Sequence, residues 1–249
     1  MIPPAPVVRY GSHLDQLANL QLPPSEGGPF PCVILIHGGF WRDRWDRTLM
    51  TPLAIDLAQR GYAAWNVEYR RVGQEGGGWP GTLEDIAAAA DALADIAEVD
   101  ASRLAAVGHS AGGHLALWLG GRTDGRVRLR AAVSQAGVAD LALGHADDLG
   151  AGAVSDLIGG SPAEFPERYA YASPAARVPL GIAQLLVHGA ADDIVPPIQS
   201  RVYYEKAQAV GDDIELVELP GADHFDLVDP AHEAWQAVVQ RLARLLRTA

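Results

Sequence analysis

The sequence has little cysteine and few basic side chains for its size. Its 249 residues contain one cysteine, Cys32, which cannot form an internal disulfide. The apolar neighbours of Cys32 predict a small buried side chain and not a catalytic thiol. Asp and Glu outnumber Lys and Arg by 31 to 19, and the formal net charge is −12. Nucleic acids bind through a surplus of basic residues on one face, so this charge argues against a nucleic-acid partner.

Long apolar runs are also absent from the sequence. No run approaches the roughly 18 uninterrupted apolar residues of a membrane-spanning helix. The first residues, MIPPAPVVRYGSH, lack a basic segment followed by an apolar one. We therefore expect a soluble, cytoplasmic protein with no membrane partner. The sequence has neither an HExxH motif nor clustered Cys and His, so we expect no metal and no cofactor. The sequence does not decide whether the protein is a monomer or a homodimer.

The sequence does contain a regular alternation of strand-like and helical patterns. Hydrophobic residues make up 49% of the chain, which is enough for the core of a single domain over residues 1–249. Runs rich in β-branched residues alternate with apolar residues at helical spacing, as is typical of βαβ units. We predict an α/β fold with a doubly wound, mostly parallel sheet of about eight strands and helices on both faces. Residues 7–24 carry no helical pattern and predict one or two antiparallel edge strands.

Residue pairs typical of helix starts occur at several points. Thr51 and Asp229 are each followed by a proline, which predicts that both cap the beginning of a helix. Thr82 and Asp85 have the spacing of a capping box. The helix predicted after Asp229 would bury a stripe of apolar side chains near the end of the sequence.

One serine lies at the junction of a predicted strand and a predicted helix. The residues Gly108 to Gly112 fit the pattern G-x-S-x-G, in which small neighbours permit a sharp turn that exposes Ser110 at the carboxyl edge of the sheet. A purely structural turn fits the same residues, and so does a dinucleotide-binding glycine loop. The glycines do not form G-x-G-x-x-G, which argues against a dinucleotide. The choice depends on whether a base and an acid accompany Ser110.

A base and an acid follow two later strand candidates. A serine hydroxyl needs a base to remove its proton, and the base needs an acid to fix its tautomer. One strand candidate leads to Asp192 and Asp193, and the next leads to His224. Because the carboxyl ends of parallel strands meet at one edge of a sheet, these side chains can converge on Ser110. The order Ser, Asp, His is that of G-x-S-x-G hydrolases, although the spacing leaves both aspartates open as the acid.

These motifs together resemble the α/β-hydrolase family over nearly the whole chain. The resemblance is carried by the segments HGGFW, GHSAGG, HGAADDIVPP and GADHFDL. HGGFW is similar to the loop of the esterase and arylformamidase (kynurenine formamidase) branch. It differs from hormone-sensitive lipases, which have a third glycine where this chain has Phe40. The family pattern His-Gly-x-x-Asp implies that Asp192, and not Asp193, is the triad acid.

The resemblance also implies an oxyanion hole. Its donors would be the backbone N–H groups of Gly39, Phe40 and Ala111, and donors aimed at a developing oxyanion are worth about 3 kcal/mol each. His37 directly precedes the two glycines and is predicted to orient this loop by hydrogen bonds. The family implies neither a metal nor a cofactor.

Two parts of the sequence are candidates for the substrate pocket. Residues 138–178 lie between two strand candidates and contain few strong apolar runs, which predicts a lid over one end of the sheet that sets specificity. Trp41, Trp45 and Trp79 could line an acyl or aryl pocket, although ordinary packing explains each equally well. Of these we take Trp41 and Trp79 as the pocket residues.

The sequence as a whole predicts a serine hydrolase. Ser110 attacks the carbonyl carbon, His224 accepts its proton, Asp192 holds His224, and water releases the acyl-enzyme. The predicted substrate is a small carboxylic ester. An aryl formamide such as N-formylkynurenine is the alternative within this class. A non-catalytic ligand-binding protein on the same fold is the alternative of another class, and the presence of all three triad residues argues against it.

Overall fold

A computed structural model describes residues 5–246 of the chain as eight strands and eight α-helices. The strands are β1 (Val7–Arg9), β2 (Leu17–Gln21), β3 (Phe30–Ile36), β4 (Ala63–Val67), β5 (Val99–His109), β6 (Leu129–Gln135), β7 (Ala183–Gly189) and β8 (Ile214–Leu219). The α-helices are α1 (Thr51–Gln59), α2 (Gly81–Asp91), α3 (Ala111–Gly120), α4 (Leu141–Ala146), α5 (Ala153–Ile158), α6 (Pro166–Ala172), α7 (Ile198–Ala209) and α8 (Glu233–Leu245). Residues 1–4 and 247–249 lie outside the described residues. The predictions for the N-terminal segment and for a single domain of residues 1–249 include them. None of the described helices is long and apolar enough to cross a membrane.

The strands form one sheet in the order β1-β2-β4-β3-β5-β6-β7-β8. Neighbours from β4 to β8 in this order run parallel, whereas β2 pairs antiparallel with both β1 and β4. The predicted mostly parallel sheet with antiparallel strands at one edge is confirmed. Because β5, β7 and β8 run in the same direction, the residues that follow them lie along one edge of the sheet.

Helices cover both faces of the sheet because successive strand side chains point to opposite sides. In β3, Ile34 and Ile36 belong to the core beneath α2 and α3, while Val33 and Leu35 belong to the core beneath α1 and α8. The last helix, α8, contributes the predicted apolar stripe, which includes Trp235, Val238 and Leu242. The predicted helices on both faces are confirmed.

Three predicted helix starts differ from the structure. α2 begins at Gly81, before Thr82, and the carboxylate of Asp85 pairs with Arg70 instead of forming a capping box. Thr51 is the first residue of α1, because a short 3₁₀ helix, Arg47–Met50, leads directly into it. α8 begins at Glu233, where the side chain of His232 accepts a hydrogen bond from the N–H of Ala234. Asp229 accepts instead from the N–H of Ala231, in a turn that precedes the helix.

Residues 138–178 form α4, α5, α6 and a 3₁₀ turn, Pro174–Ala176, between β6 and β7. This insertion is tied to two loops at the carboxyl edge of the sheet. Arg42, in the loop after β3, donates to the carbonyl oxygen of Gly150 and pairs with Asp156. The backbone N–H of Trp79, in the loop after β4, donates to the carbonyl oxygen of Leu157 at 2.7 Å. The insertion therefore packs beside the loops that follow β3 and β4.

Candidate active site

Ser110 lies on a tight turn between the end of β5 and the start of α3. Its φ of 58° and ψ of −122° belong to a region that residues with side chains seldom adopt. The N–H of Ser110 donates to the carbonyl oxygen of Gln135, and its own carbonyl accepts from the N–H of Gly113, both at 2.8 Å. These bonds hold the serine at the carboxyl edge of the sheet in its strained conformation.

Close contacts between backbone segments require the glycines around Ser110. A Cβ atom on Gly108 would lie 1.9 Å from the carbonyl oxygen of Gly112, and one on Gly112 would lie 2.0 Å from that of Ile36. Only glycine permits so close an approach of α3 to β3 and β5. A Cβ atom on Gly38 would lie 2.8 Å from the Cβ of Ser110, so the loop after β3 lies directly against the serine.

His224 and Asp192 form a buried hydrogen-bonded pair at the same edge. Nδ1 of His224 lies 2.6 Å from Oδ2 of Asp192. A carboxylate can only accept, so Nδ1 carries the proton and Nε2 is the basic nitrogen of the ring. Asp193, the other aspartate that the spacing left open, is exposed and forms no side-chain hydrogen bond or salt bridge within residues 5–246.

Donors surround both oxygens of the Asp192 carboxylate. Oδ1 accepts from the N–H groups of Ile194 and Val195, both at 2.9 Å. Oδ2 faces His224 and lies 3.4 Å from Nε2 of His188. Burial raises the pKa of Asp192, but hydrogen bonds from the two histidines and from the backbone outweigh burial and hold the pKa well below its usual range. Asp192 is therefore a carboxylate beside His224. This contact of His188, which comes directly before Gly189 at the end of β7, was not predicted from the sequence.

A second histidine supports the backbone of His224. The rings of His109 and His224 have centroids 4.5 Å apart, and Nε2 of His109 donates to the carbonyl oxygen of His224 at 2.9 Å. Burial, together with the neighbouring His224, lowers the pKa of His109 to about 3. His109 is therefore neutral, so that it fixes the loop of His224 without charge repulsion.

The loop after β3 offers backbone donors to the site. Gly39, Phe40 and Trp41 all have positive φ values, of 115°, 53° and 56°. Ala111 is the first residue of α3, where backbone N–H groups have no partner inside the helix. Within residues 5–246 the N–H groups of Gly39, Phe40 and Ala111 donate to no protein acceptor. The three N–H groups predicted to form the oxyanion hole therefore have no competing acceptor in the described part of the chain.

A buried pair of side chains supports this loop. Nε2 of His37 lies 2.9 Å from Oε1 of Glu68, and Nδ1 lies 2.8 Å from the carbonyl oxygen of Gly38. Tyr69 stacks on the ring of His37 with centroids 4.5 Å apart and donates its hydroxyl to the carbonyl oxygen of His37. His37 therefore bonds within the loop, as its position predicts. Glu68 was not predicted from the sequence, although a glutamate directly after a buried strand is a signal that could have identified it.

A cavity of about 130 Å³ connects the serine, the histidine and this loop, and we name it the Ser110 cavity. It is lined by Gly39, Phe40, Arg44, Trp45, Leu49, His109, Ser110, Ile194, His224 and Phe225. Trp45 and Phe225 are both partly exposed and form an aromatic pair with centroids 5.8 Å apart, so they flank the opening. Among residues 5–246, no three His, Cys, Asp or Glu side chains are grouped in a way that could hold a metal ion.

The two tryptophans chosen for the substrate pocket do not line the Ser110 cavity, which corrects that prediction. Trp41 is fully buried, and its indole N–H donates to Nδ1 of His114 at 3.2 Å. Trp79 lines a separate cavity between α2, α3 and α6. The prediction failed because the loop after β3 turns Trp41 into the core and leaves Trp45 at the cavity opening.

The order of the strands and the serine turn between β5 and α3 define the α/β-hydrolase fold. The model of the BD-FAE family matches residues 18–207 of the chain. The chain therefore belongs to the BD-FAE family, and the predicted membership in the α/β hydrolases is confirmed.

Relatives of known sequence include one protein named as an esterase. Esterase LipC of Mycobacterium tuberculosis is 29% identical over 234 residues, which cover 82% of this chain and 55% of LipC. The protein YfhR of Salmonella typhi is 29% identical over 198 residues, which cover 78% of this chain and 64% of YfhR. The chain thus spans less than two thirds of the length of these relatives.

Solved structures of the same fold cover almost the whole chain. A truncated carbohydrate esterase from gut microbiota has a TM-score of 0.83 at 20% identity and covers 97% of this chain and 96% of its own. Esterase Est2 of Thermogutta terrifontis with bound propionate has a TM-score of 0.76 at 22% identity. The match covers 98% of this chain and 94% of the Est2 chain. At these identities the likeness concerns the fold, and the arylformamidase branch stays a prediction.

Proposed function

We propose that this protein is a serine hydrolase that cleaves small carboxylic esters through an acyl-enzyme. One observation carries the proposal: Ser110 and His224 line the same cavity, while Asp192 binds Nδ1 of His224 at 2.6 Å. The sequence similarity to an esterase and the names of the structural neighbours support an ester as the substrate.

The contacts suggest how each residue takes part in the reaction. Oγ of Ser110 attacks the carbonyl carbon while Nε2 of His224 accepts the hydroxyl proton. The carboxylate of Asp192 stabilises the resulting imidazolium, and the N–H groups of Gly39, Phe40 and Ala111 donate to the oxyanion. His224 then protonates the leaving alcohol. Water attacks the acyl-enzyme with His224 as the base, which restores the free serine.

The size of the Ser110 cavity supports a short acyl group. Its volume of about 130 Å³ lies below the roughly 300–1,000 Å³ of sites for drug-sized ligands. A Cβ atom on Gly150 would lie 2.7 Å from the ring of Phe40, so the insertion packs against this side of the cavity. Structures of the neighbour Est2 carry propionate and butyrate. We therefore assign to this protein acyl groups of about two to four carbons, with residues 138–178 as the lid.

An aryl formamide is the second candidate substrate, and the aromatic pair at the opening favours it. A one-carbon formyl group fits the Ser110 cavity, and an aromatic amine could stack on Trp45 and Phe225, whose centroids are 5.8 Å apart. Comparing kcat/KM for N-formylkynurenine and p-nitrophenyl acetate distinguishes the two substrates. An advantage of about 100-fold or more for the formamide would replace the ester proposal.

The substitution Ser110→Ala tests the proposal as a whole. It is expected to lower kcat for p-nitrophenyl acetate by roughly 10⁴ to 10⁶, because the nucleophile is lost. It should also prevent covalent labelling by a fluorophosphonate, measured by intact mass. Ser134→Ala is the matched control, since Ser134 is buried in β6, lies outside the Ser110 cavity and has a hydroxyl without a hydrogen-bond partner among residues 5–246. A wild-type protein without turnover and without labelling would be a binding protein on this fold.

A further inference from the structure

A second cavity, which we name the Trp118 cavity, lies between α2, α3 and α6. Its volume of about 520 Å³ exceeds that of the Ser110 cavity, and the two linings have no described residue in common. Trp118 follows Ser110 by eight residues in α3, a distance of about 12 Å along the helix axis. Small-molecule sites have volumes of roughly 300–1,000 Å³, so this cavity is large enough for a ligand of its own.

Aromatic side chains from three different elements form the walls of the Trp118 cavity. Tyr171 of α6 lies edge-on to Trp79, with centroids 5.4 Å apart and ring planes at 85°, and its centroid is 5.9 Å from that of Trp118. Trp118 is 2% exposed and Tyr171 is 49% exposed, so Trp118 lies at the bottom and Tyr171 at the rim. Together the rings present apolar faces to a ligand.

Polar groups in the same lining lack partners within residues 5–246. Nε1 of the buried Trp118 has no hydrogen-bond acceptor, although buried N–H groups are almost always paired. The carboxylates of Glu84 and Glu167 form no salt bridge and no side-chain hydrogen bond in that part of the chain. Arg168 donates to the carbonyl oxygen of Ile158 and there has no carboxylate partner. The cavity therefore offers both donors and acceptors to a ligand.

The charges around the cavity restrict what it can bind. Cζ of Arg168 lies 5.9 Å from the ring centroid of Trp79, and Cζ of Arg177 lies 5.4 Å from that of Tyr171. Arg122 and Arg168 line the cavity together with Glu84, Asp124 and Glu167. The guanidinium groups therefore disfavour a cationic ligand, and the carboxylates disfavour an anionic one. A purely apolar ligand would remove water from the carboxylates and from Arg168 without replacing the hydrogen bonds of that water. The remaining class is a neutral ligand with an apolar face and several hydroxyl groups.

We propose that the Trp118 cavity binds a neutral saccharide. The C–H face of a pyranose ring packs against Trp79 or Tyr171, and its hydroxyl groups donate to Glu84 and Glu167. The same hydroxyl groups accept from Arg168, because a hydroxyl both donates and accepts. The site is separate from Ser110, so the proposal does not depend on ester hydrolysis.

The indole N–H signal of Trp118 provides a direct test by NMR of ¹⁵N-labelled protein. The signal is assigned from the backbone, and xylotriose, cellotriose and mannotriose are added in turn. We expect one of them to shift the indole signals of Trp118 and Trp79, while Trp235 beneath α8 serves as the internal reference. Shifts at Trp45 alone would place the sugar at the Ser110 cavity and overturn the proposal. Xylose, glucose and mannose form a second arm, which distinguishes a site for free sugars from one for chains.

Two exposed positions test the contacts without disturbing the core. Tyr171→Ala and Glu84→Gln are each expected to weaken saccharide binding by about fivefold to tenfold. Their matched controls are Tyr204→Ala and Glu205→Gln on α7, which lines neither cavity, and both controls should retain the wild-type affinity.

Charged probes complete the test of the Trp118 cavity. Choline and benzoate should bind more weakly than the best saccharide because each meets a like charge at the rim. Tighter binding of either charged probe would overturn the proposal. So would the absence of a response to every saccharide at about 50 mM, where a millimolar site is saturated.

Discussion

Replacing Asp192 by asparagine is expected to remove most turnover while leaving the fold in place. Oδ1 of Asp192 accepts from two backbone N–H groups, those of Ile194 and Val195. The carbonyl oxygen of an asparagine can take this position, and its NH₂ group then faces Nδ1 of His224, where Oδ2 lies at 2.6 Å in the native protein. Two donors cannot face each other, so His224 must carry its proton on Nε2. In that tautomer it cannot accept the proton of Ser110.

The wrong tautomer is expected to lower kcat for p-nitrophenyl acetate by about 10⁴. This factor corresponds to about 5.4 kcal/mol of lost transition-state stabilisation, at 1.36 kcal/mol for each tenfold change. KM should change little, because Asp192 does not line the Ser110 cavity. Steady-state hydrolysis at one fixed pH gives both constants, and circular dichroism shows whether the fold is retained.

The adjacent Asp193 provides the matched control, since it is exposed while Asp192 is buried. Asp193→Asn should stay within about twofold of the native kcat, as is usual for a surface substitution. The reverse ranking of the two variants would assign the acid role to Asp193. Small losses in both variants would refute the argument from the tautomer of His224.

The volume of the Ser110 cavity and the contacts of its glycines give two more predictions. Because the cavity measures about 130 Å³, kcat/KM for p-nitrophenyl esters should fall about tenfold or more from acetyl to octanoyl; a rise would indicate a groove beneath the insertion. Gly112→Ala places a Cβ atom 2.0 Å from the carbonyl oxygen of Ile36. It should lower the free energy of unfolding by about 2–3 kcal/mol, and Tm by roughly 5–10 °C. Gly125→Ala is its control in thermal melts, because the new atom there meets the movable end of Arg122, and equal Tm values would refute the prediction.

The sheet and the serine turn could be predicted because their causes lie close together in sequence. The strand β7 is buried along its whole length and reads as an apolar run, as expected of a central parallel strand. The turn at Ser110 needs glycine two residues before and two residues after the serine. A side chain on Gly108 would collide with the turn itself, and one on Gly112 would collide with the end of β3. The spacing of residues within short stretches of the sequence was therefore sufficient to predict the strands and the serine turn.

The helix starts were harder to predict because the same residues serve competing structures. Asp229 followed by proline is typical of a helix cap and also of a turn, and here Asp229 binds the N–H of Ala231 in a turn. Asp85 has the spacing of a capping box with Thr82, but its carboxylate pairs with Arg70 at 2.6 Å. That partner lies 15 residues away, and periodicity does not show such a pairing.

The position of Trp41 shows why the substrate pocket could not be predicted and what that side chain does instead. Positive φ values at Phe40 and Trp41 turn the indole inward, and no sequence periodicity encodes them. Burial lowers the pKa of His114 to about 4, so its ring is neutral above that pH and has one donor and one acceptor. Nδ1 accepts from the indole of Trp41, and Nε2 donates to the carbonyl oxygen of Ala172 at 2.9 Å. One neutral imidazole therefore joins the loop beside Ser110 to α6, the helix that carries Tyr171. The insertion thus lines the Trp118 cavity through α6 and, through His114, is connected to the loop after β3 inside the core.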